Sequence, residues 1–432
     1  MNKAVISNKI YMDTNPELMN TLTKALTYKI KRNIPGATHF SQFEIVKNYK
    51  VINKTIISFP TGRLDLIPEN YEITDKRILE PMPFPKASYP LRESQQEVYD
   101  NVEDSCCINA LVGWGKTSTA LHIAKKLGQK TLVICHNTML RDQWIDEVTK
   151  LYSMECGVIG SGKYDIDHTI VIGNIQSLTK PEILVKISKE FGTVILDECH
   201  HVSASTFTTV LEGLHARYKI GLSGTMWRKD GKHVMFKDFF GPKVYQPPQS
   251  GTLIPKVELI KTGISLAHGE AWAKKINTLL YDPDYQDFIA NLAKYQIKEG
   301  HKVLIIADRV EFLQNVKELI GEECVCITGG SSYDERVALK KQIDSGQKSA
   351  IAGSRQIFSE GISVNALSCV ILAAPIANDS LLEQIVGRIM RMSEGKLEPL
   401  VLDMQFSGSA DRKQNKQRTG FYMRKGWEIV NV

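Results

Sequence analysis

The chain lacks several things, and each absence excludes a class of protein. Its eight cysteines contain no Cys-x-x-Cys pair, which speaks against a zinc ribbon or an iron–sulfur domain. Scattered thiols fit a reducing compartment, so the expected location is the cytoplasm, the host's if the source is viral. No apolar run approaches the roughly 18 residues that a membrane helix needs, so no membrane partner is expected. The opening Met-Asn-Lys-Ala-Val-Ile-Ser-Asn-Lys does not read as a secretory signal. Short repeats and low-complexity tracts are also missing. Charge of one sign is only slightly in excess, at +6, which permits nucleic-acid binding without establishing it. What remains is an ordinary globular composition over 432 residues, enough for two or three domains.

Two segments carry the chemistry. The first reads Ala110-Leu-Val-Gly-Trp-Gly-Lys-Thr117. A triphosphate needs converging N–H donors and a cation, and a loop turning into a helix supplies the donors. Gly113 and Gly115 let backbone approach phosphate without a Cβ in the way. Lys116 is placed to reach the β and γ phosphates, and Thr117 offers a hydroxyl to magnesium. The flanks fit, with a short strand at Cys106-Cys-Ile-Asn and a helix from Ser118 to Leu127. The full pattern has Gly where this chain has Ala110, which leaves Gly-x-Gly-Lys-Thr intact. The nucleotide-binding set is Gly113, Trp114, Gly115, Lys116, Thr117 and Ser118. Trp114 has two readings, as a shield for the nucleotide or as packing.

The second segment is Thr193-Val-Ile-Leu-Asp-Glu-Cys-His200, an apolar run suited to a strand buried on both faces. Carboxylates at the end of such a strand face the ligand crevice. Asp197 is expected to hold magnesium and Glu198 to polarise the attacking water as general base. The cofactors implied are ATP and Mg2+.

The rest of the chain is organised around these segments. Residues 1–85 read as a small α+β domain for DNA binding or an accessory role. In it a helix starts at Asn15-Pro16 and runs from Glu17 to Lys31, followed by β-rich stretches at Phe43–Tyr49 and Val51–Phe59. Pro81-Met-Pro-Phe-Pro-Lys reads as a linker. Residues 89–248 alternate short apolar strands with helices, the rhythm of a doubly wound parallel sheet. Residues 249–410 repeat that rhythm without a phosphate loop, after a helix pair from Ala267 to Glu299 broken at Asp282-Pro283. Residues 411–432 are a basic tail, which reads equally as a strand-holding arm and as a disordered solubilising tail.

Gln384-Ile-Val-Gly-Arg-Ile-Met-Arg391 is the third informative segment. On a helix Gln384, Arg388 and Arg391 share a face, from which the arginines could serve as fingers on the γ phosphate.

These motifs, in this order, resemble those of the helicases and translocases of superfamily two over most of residues 89–405. The resemblance implies two tandem RecA-like doubly wound parallel-sheet domains plus the small α+β amino-terminal domain. It implies an adenine-reading role for Arg92 and Gln95, and a nucleotide contact at Gly361 in Phe358-Ser-Glu-Gly361. It implies nucleic-acid contacts at His136 and Asn137, at Gln176 and Ser177, and at Ser354 and Arg355. Ser223-Gly-Thr225 resembles the Ser-Ala-Thr element that couples hydrolysis to movement, so Ser223 and Thr225 join His200 as coupling residues. Two departures, Ser363 for Asp and Gly224 for Ala, imply tuned coupling.

Asp-Glu-Cys-His-His-Val and Trp227-Arg-Lys-Asp-Gly231 are similar to the DNA-repair branch, with its XPB-like and phage UvsW-type enzymes. Arg228 lies in an element similar to the Arg-Glu-Asp of that branch and is expected to contact DNA. The resemblance implies an ATP-dependent DNA helicase that unwinds or migrates forks and four-way junctions in recombination and repair. It is expected to act as a monomer, with other replication or recombination proteins as further partners. An RNA helicase and a double-stranded DNA translocase without strand separation are the alternatives.

Overall fold

The computed structural model describes residues 2–31, 43–111, 113–201, 205–224, 232–247, 253–266, 270–360, 364–393 and 395–432. The chain forms two compact units. Met1–Leu111 with Gly115–Pro248 make the first, and Gln249–Val432 with Val112–Trp114 make the second.

Among the described residues the first unit holds two large sheets that differ in kind and a two-stranded ribbon. The amino-terminal module has a five-stranded sheet in the order Lys50–Asn53, Ile56–Pro60, Lys9–Asp13, Lys3–Ile6, Glu72–Asp75. Its neighbours run antiparallel except the last pair. One face packs Ala4, Ile6, Ile10, Met12, Ile57 and Phe59 against Leu22 of the helix Pro16–Ala25 and Leu26, its C-cap. Asn15 caps that helix, its side chain accepting from the Leu18 amide at 2.8 Å. The helix is shorter than its apolar spacing suggests. Thr27–Lys31 is a strand, paired antiparallel with Phe43–Lys47 in a two-stranded ribbon. β-branched Thr27 and aromatic Tyr28 favour that outcome, and Ile30 is buried from a strand rather than a helix. Val51–Phe59 is likewise two strands rather than one.

The second sheet of this unit has eight strands, all parallel except the Lys163–Tyr164 edge. At its centre lie Thr131–Cys135, Thr193–Leu196 and Tyr218–Ser223, nearly all of them fully buried. Such strands need apolar residues on both faces, which is why they read as unbroken runs.

Module and sheet are joined through buried polar groups. The Asp238 carboxylate, fully buried, accepts from Tyr28 Oη at 2.8 Å, Asn48 Nδ2 at 2.7 Å and Arg63 Nη1 at 3.3 Å. Burial still outweighs these bonds and raises the pKa of Asp238. A Cβ on Gly62 would lie 2.4 Å from the Lys237 carbonyl oxygen, so only glycine fits this turn. Beside it Lys219 is buried, donating to Thr61 Oγ1 at 3.1 Å and to the Leu211 carbonyl at 3.0 Å. Burial first, then Arg77, pushes its pKa down to about 7. Unfolded lysine keeps its proton to about pH 10.4. Between those two values the unfolded chain binds more protons, so stability rises with pH across that window. Lys219→Met is expected to flatten the rise, as read by urea denaturation at about pH 7 and about pH 10.

The second unit is a seven-stranded, fully parallel sheet in the order Cys324–Ile327, Ala350–Ser354, Val303–Ala307, Cys369–Leu372, Leu400–Gln405, Lys256–Lys261, Glu428–Asn431. Its two helices Trp272–Leu280 and Pro283–Lys298 fall where Asp282-Pro283 divides them. Asp282 caps the second, accepting from the Asp284 amide at 2.9 Å. The stretch read as a basic tail is no loose tail. Ser409–Arg424 is a helix, and Glu428–Asn431 closes the edge of the sheet beside Lys256–Lys261. The architecture is therefore mixed α/β with parallel-sheet RecA-like domains.

Candidate functional site

The phosphate loop leaves the strand Cys106–Asn109 and enters the helix Lys116–Leu127. Gly113 and Gly115 have φ of 90° and 94°, which glycine alone adopts cheaply. A Cβ on Gly115 would sit 2.3 Å from Gln95 Nε2 and 3.0 Å from Arg92 Nη2. The proposed adenine readers therefore crowd the loop itself. Gln95 also closes a capping box, its Oε1 accepting from the Arg92 amide at 2.9 Å. Lys116 Nζ donates to the carbonyls of Ala110 at 2.7 Å and Leu111 at 3.2 Å. Thr117 and Ser118 occupy the first turn of the helix, whose free amides and dipole suit an anion. Trp114 is buried.

The strand Thr193–Leu196 delivers Asp197 and Glu198 to the same end of the sheet. Asp197 is oriented from two sides. Trp144 Nε1 donates to its Oδ2 at 2.8 Å, and the Glu198 amide to its Oδ1 at 2.9 Å. Burial raises the Asp197 pKa, followed by the charge of Glu198, against the pull of the Trp144 bond and Lys116. A divalent cation would reverse that balance. Glu198 takes φ of +50°, a strained value for a non-glycine residue. His200 Nδ1 lies 3.1 Å from Glu198 Oε2 and 3.0 Å from Ser223 Oγ. One imidazole thus bridges the candidate general base and the strand end of the Ser-Gly-Thr element.

Two of the expected strand-contacting segments also meet in this unit. Gln176 Nε2 donates to the His136 carbonyl at 2.8 Å. Asn137 caps the helix Thr138–Tyr152, accepting from the Leu140 amide at 2.8 Å, and its Nδ2 lies 3.0 Å from His136 Nε2. Ser177 sits in the adjoining short helix Ile175–Leu178.

In the second unit Gln384 and Arg388 ride on the helix Asp379–Ile389. Arg388 is buried and donates from Nε to the Phe358 carbonyl at 3.1 Å. Arg391 lies beyond the helix, which is capped at Met390, so the expectation of three residues on one helical face holds only for the first two. Ser354 ends the strand Ala350–Ser354. Arg355 pairs with Asp308 at 2.9 Å, and burial lowers its pKa. Gly361, Thr225 and Arg228 lie outside the described residues, as do Ser363 and Trp227.

Two side chains of the segment His136–Trp144, which resembles the first strand-contacting motif, have roles that the sequence reading did not assign. Trp144 orients Asp197. Arg141 ties Asn174 Oδ1 at 3.1 Å and Ser161 Oγ at 3.0 Å. Trp144 gave one signal: a tryptophan on a buried helix face, beside Leu140 and Val148, needs an acceptor for its N–H.

Residues 88–228 match the family "Type III restriction enzyme, res subunit", and residues 285–393 match "Helicase conserved C-terminal domain". The chain is 43% identical to a probable helicase D10 of Escherichia phage T5, over 100% of this chain and 96% of that protein. It is 24% identical to the DNA 3'-5' translocase XPB2 of Sulfurisphaera tokodaii, over 80% of this chain and 88% of that one. With the ATP-dependent DNA helicase uvsW of Enterobacteria phage T4 it shares 25% identity over 70% of this chain and 65% of that one. Other relatives bear the name of putative ATP-dependent RNA helicases. The chain belongs to the superfamily 2 helicases of the UvsW and XPB type and is an ATP-dependent helicase.

Proposed function

We propose that this helicase acts on DNA and unwinds or migrates branched forms such as forks and four-way junctions, as a monomer. The observation that carries the motor is His200 Nδ1 standing between Glu198 Oε2 and Ser223 Oγ. It links the residue that meets water to the segment that reports hydrolysis. The choice of DNA rests on the likeness to proteins named as a DNA helicase and a DNA translocase.

Lys116 and the amides of Gly113, Gly115 and the first helical turn hold the triphosphate. Arg92 and Gln95 read the base. Thr117 and Asp197 would hold Mg2+, which would supply charge neutralisation on the phosphates. Their chemistry fits it, one hydroxyl and one carboxylate being hard oxygen donors. Glu198 accepts the proton of the attacking water. Gln384, Arg388 and Arg391 are assigned the role of catalytic side chains on the γ phosphate, and Gly361 that of a nucleotide contact. Ser223 and Thr225 pass the change of state to His136, Asn137, Gln176, Ser177, Arg228, Ser354 and Arg355 on the strand. Separating a base-pair step costs about 1.4 kcal/mol of stacking, which one ATP comfortably exceeds.

The amino-terminal ribbon is suited to gripping a fork. Lys29 lies 4.5 Å over the Phe43 ring, and Phe43 and Ile45 are exposed beside Lys47. Aromatic and cationic side chains on one face stack on bases and hold phosphates.

ATPase rates with single-stranded DNA, duplex DNA, a four-way DNA junction and RNA as activators test this reading. Strongest activation by the junction is expected. Equal or greater activation by RNA would replace it with the RNA helicase.

A further inference from the structure

The carboxy-terminal helix Ser409–Arg424 has an inner and an outer face, fixed by an ion pair. Arg418 Nε lies 2.9 Å from both oxygens of Asp403, and both residues are 1% exposed. One turn later Tyr422 donates to Asp403 Oδ2 at 3.1 Å, and Phe421 is buried with it. With that face pinned, the opposite arc presents Arg412, Lys413 and Lys416, all exposed.

Two features of this outer arc have no structural reason. From Arg412 to Arg424 the sequence contains no acid. Like charges one turn apart, such as Arg412 and Lys416, weaken a helix, and a merely solubilising surface mixes both signs. The helix Pro283–Lys298 does mix them, with Asp284 and Asp287 beside Lys294 and Lys298. Gly420 also lies on the outer arc. A Cβ there would meet only the tip of Arg424 at 3.5 Å, so packing does not require glycine. A mid-helix glycine costs about 1 kcal/mol against alanine. It does let a polymer backbone come close.

The same helix is tied to the arginine-bearing helix Asp379–Ile389. Gln417 Nε2 donates to Asp379 Oδ1 at 2.9 Å, Arg424 Nη2 to Asp379 Oδ2 at 3.0 Å, and Lys425 Nζ to Glu383 Oε1 at 2.6 Å. Glu383 precedes Gln384.

We infer that the outer face of Ser409–Arg424 is a binding surface for the backbone of duplex DNA, with Arg412, Lys413 and Lys416 each neutralising a phosphate. The inference rests on the DNA reading above and adds a contact outside the helicase motifs. Strand occupancy there bears on the helix that carries Gln384 and Arg388.

The test is duplex-DNA binding by fluorescence anisotropy across a salt series, without nucleotide. Each phosphate contact contributes about 0.9 to the slope of log affinity against log salt. The triple variant Arg412→Ala/Lys413→Ala/Lys416→Ala is expected to bind more weakly, with a slope shallower by about 2–3. Arg424 is spared because it holds Asp379. A control with the same loss of charge, Lys186→Ala/Lys294→Ala/Lys298→Ala, is expected to keep the full slope. An unchanged slope in the first variant overturns the inference. So does an equal fall in the control, which would mean bulk charge alone. Wild-type protein that binds RNA and not duplex DNA would instead sink the DNA reading itself.

Discussion

Glu198→Gln is expected to lower nucleic-acid-stimulated ATP turnover about 10²–10⁴-fold, the usual contribution of a positioned general base. The substitution keeps the size and the hydrogen-bonding reach of the side chain and removes only its basicity. The substitution leaves Lys116 and the helix amides, which are assigned to hold the triphosphate, in place. Nucleotide affinity is therefore expected to stay near that of the wild type, and the loss to fall on kcat. The φ of +50° matters here. A strained backbone persists where its surroundings over-determine it, and the Asp197 carboxylate does so by accepting the Glu198 amide at 2.9 Å. Steady-state ATPase with equilibrium binding of a fluorescent nucleotide separates the two effects. A loss smaller than about tenfold would place the base elsewhere.

Asp403→Asn is expected to destabilise the second unit by about 3–5 kcal/mol, because it leaves the Arg418 guanidinium buried without its counter-ion. Burial alone would lower the Arg418 pKa, yet the Asp403 carboxylate more than offsets it and the net shift is upward. Arg418 also donates from Nη2 to the Met404 carbonyl at 3.1 Å and to Asn415 Oδ1 at 3.0 Å, while its buried Nη1 meets no acceptor among the described residues. Removing both charges together, as Asp403→Leu/Arg418→Met, is expected to recover most of the loss, since a packed apolar pair often equals a buried ion pair. Thermal unfolding of the three proteins measures this. A double variant as unstable as Asp403→Asn would show that packing, and not the unpaired charge, set the cost.

The motor's parts were legible because each obeys a local rule. Gly113, Gly115, Lys116 and Asp197 are bound to short, regular settings, a loop entering a helix and the end of a buried strand. Strands such as Thr131–Cys135 announce themselves as continuous apolar runs because both faces are covered. What escaped depends on tertiary contact. Ile30 fits a helical period as well as a strand, and only pairing across Lys29↔Ile45 and Ile30↔Glu44 decides it. The segment after Asp411 looked like a tail because its exposed cations outnumber its few anchors. Arg418, Phe421, Tyr422 and Trp427 are the residues that fold it back, and three of the four are aromatic. Arg391 lies two residues beyond a helix that stops at Ile389, a boundary the helical spacing does not mark. The bond from Trp144 to Asp197 spans 53 positions and has no local trace beyond a buried indole.

ATP hydrolysis at Lys116, Asp197 and Glu198 is proposed to drive separation of DNA strands. The most direct measurement is release of a labelled strand from a DNA fork with ATP, for the wild type and for Lys116→Ala. The wild type is expected to release the strand only with hydrolysable ATP, and the variant to release none while still binding the fork. ATP consumed on the same DNA with no strand released would contradict the proposal and identify a duplex translocase.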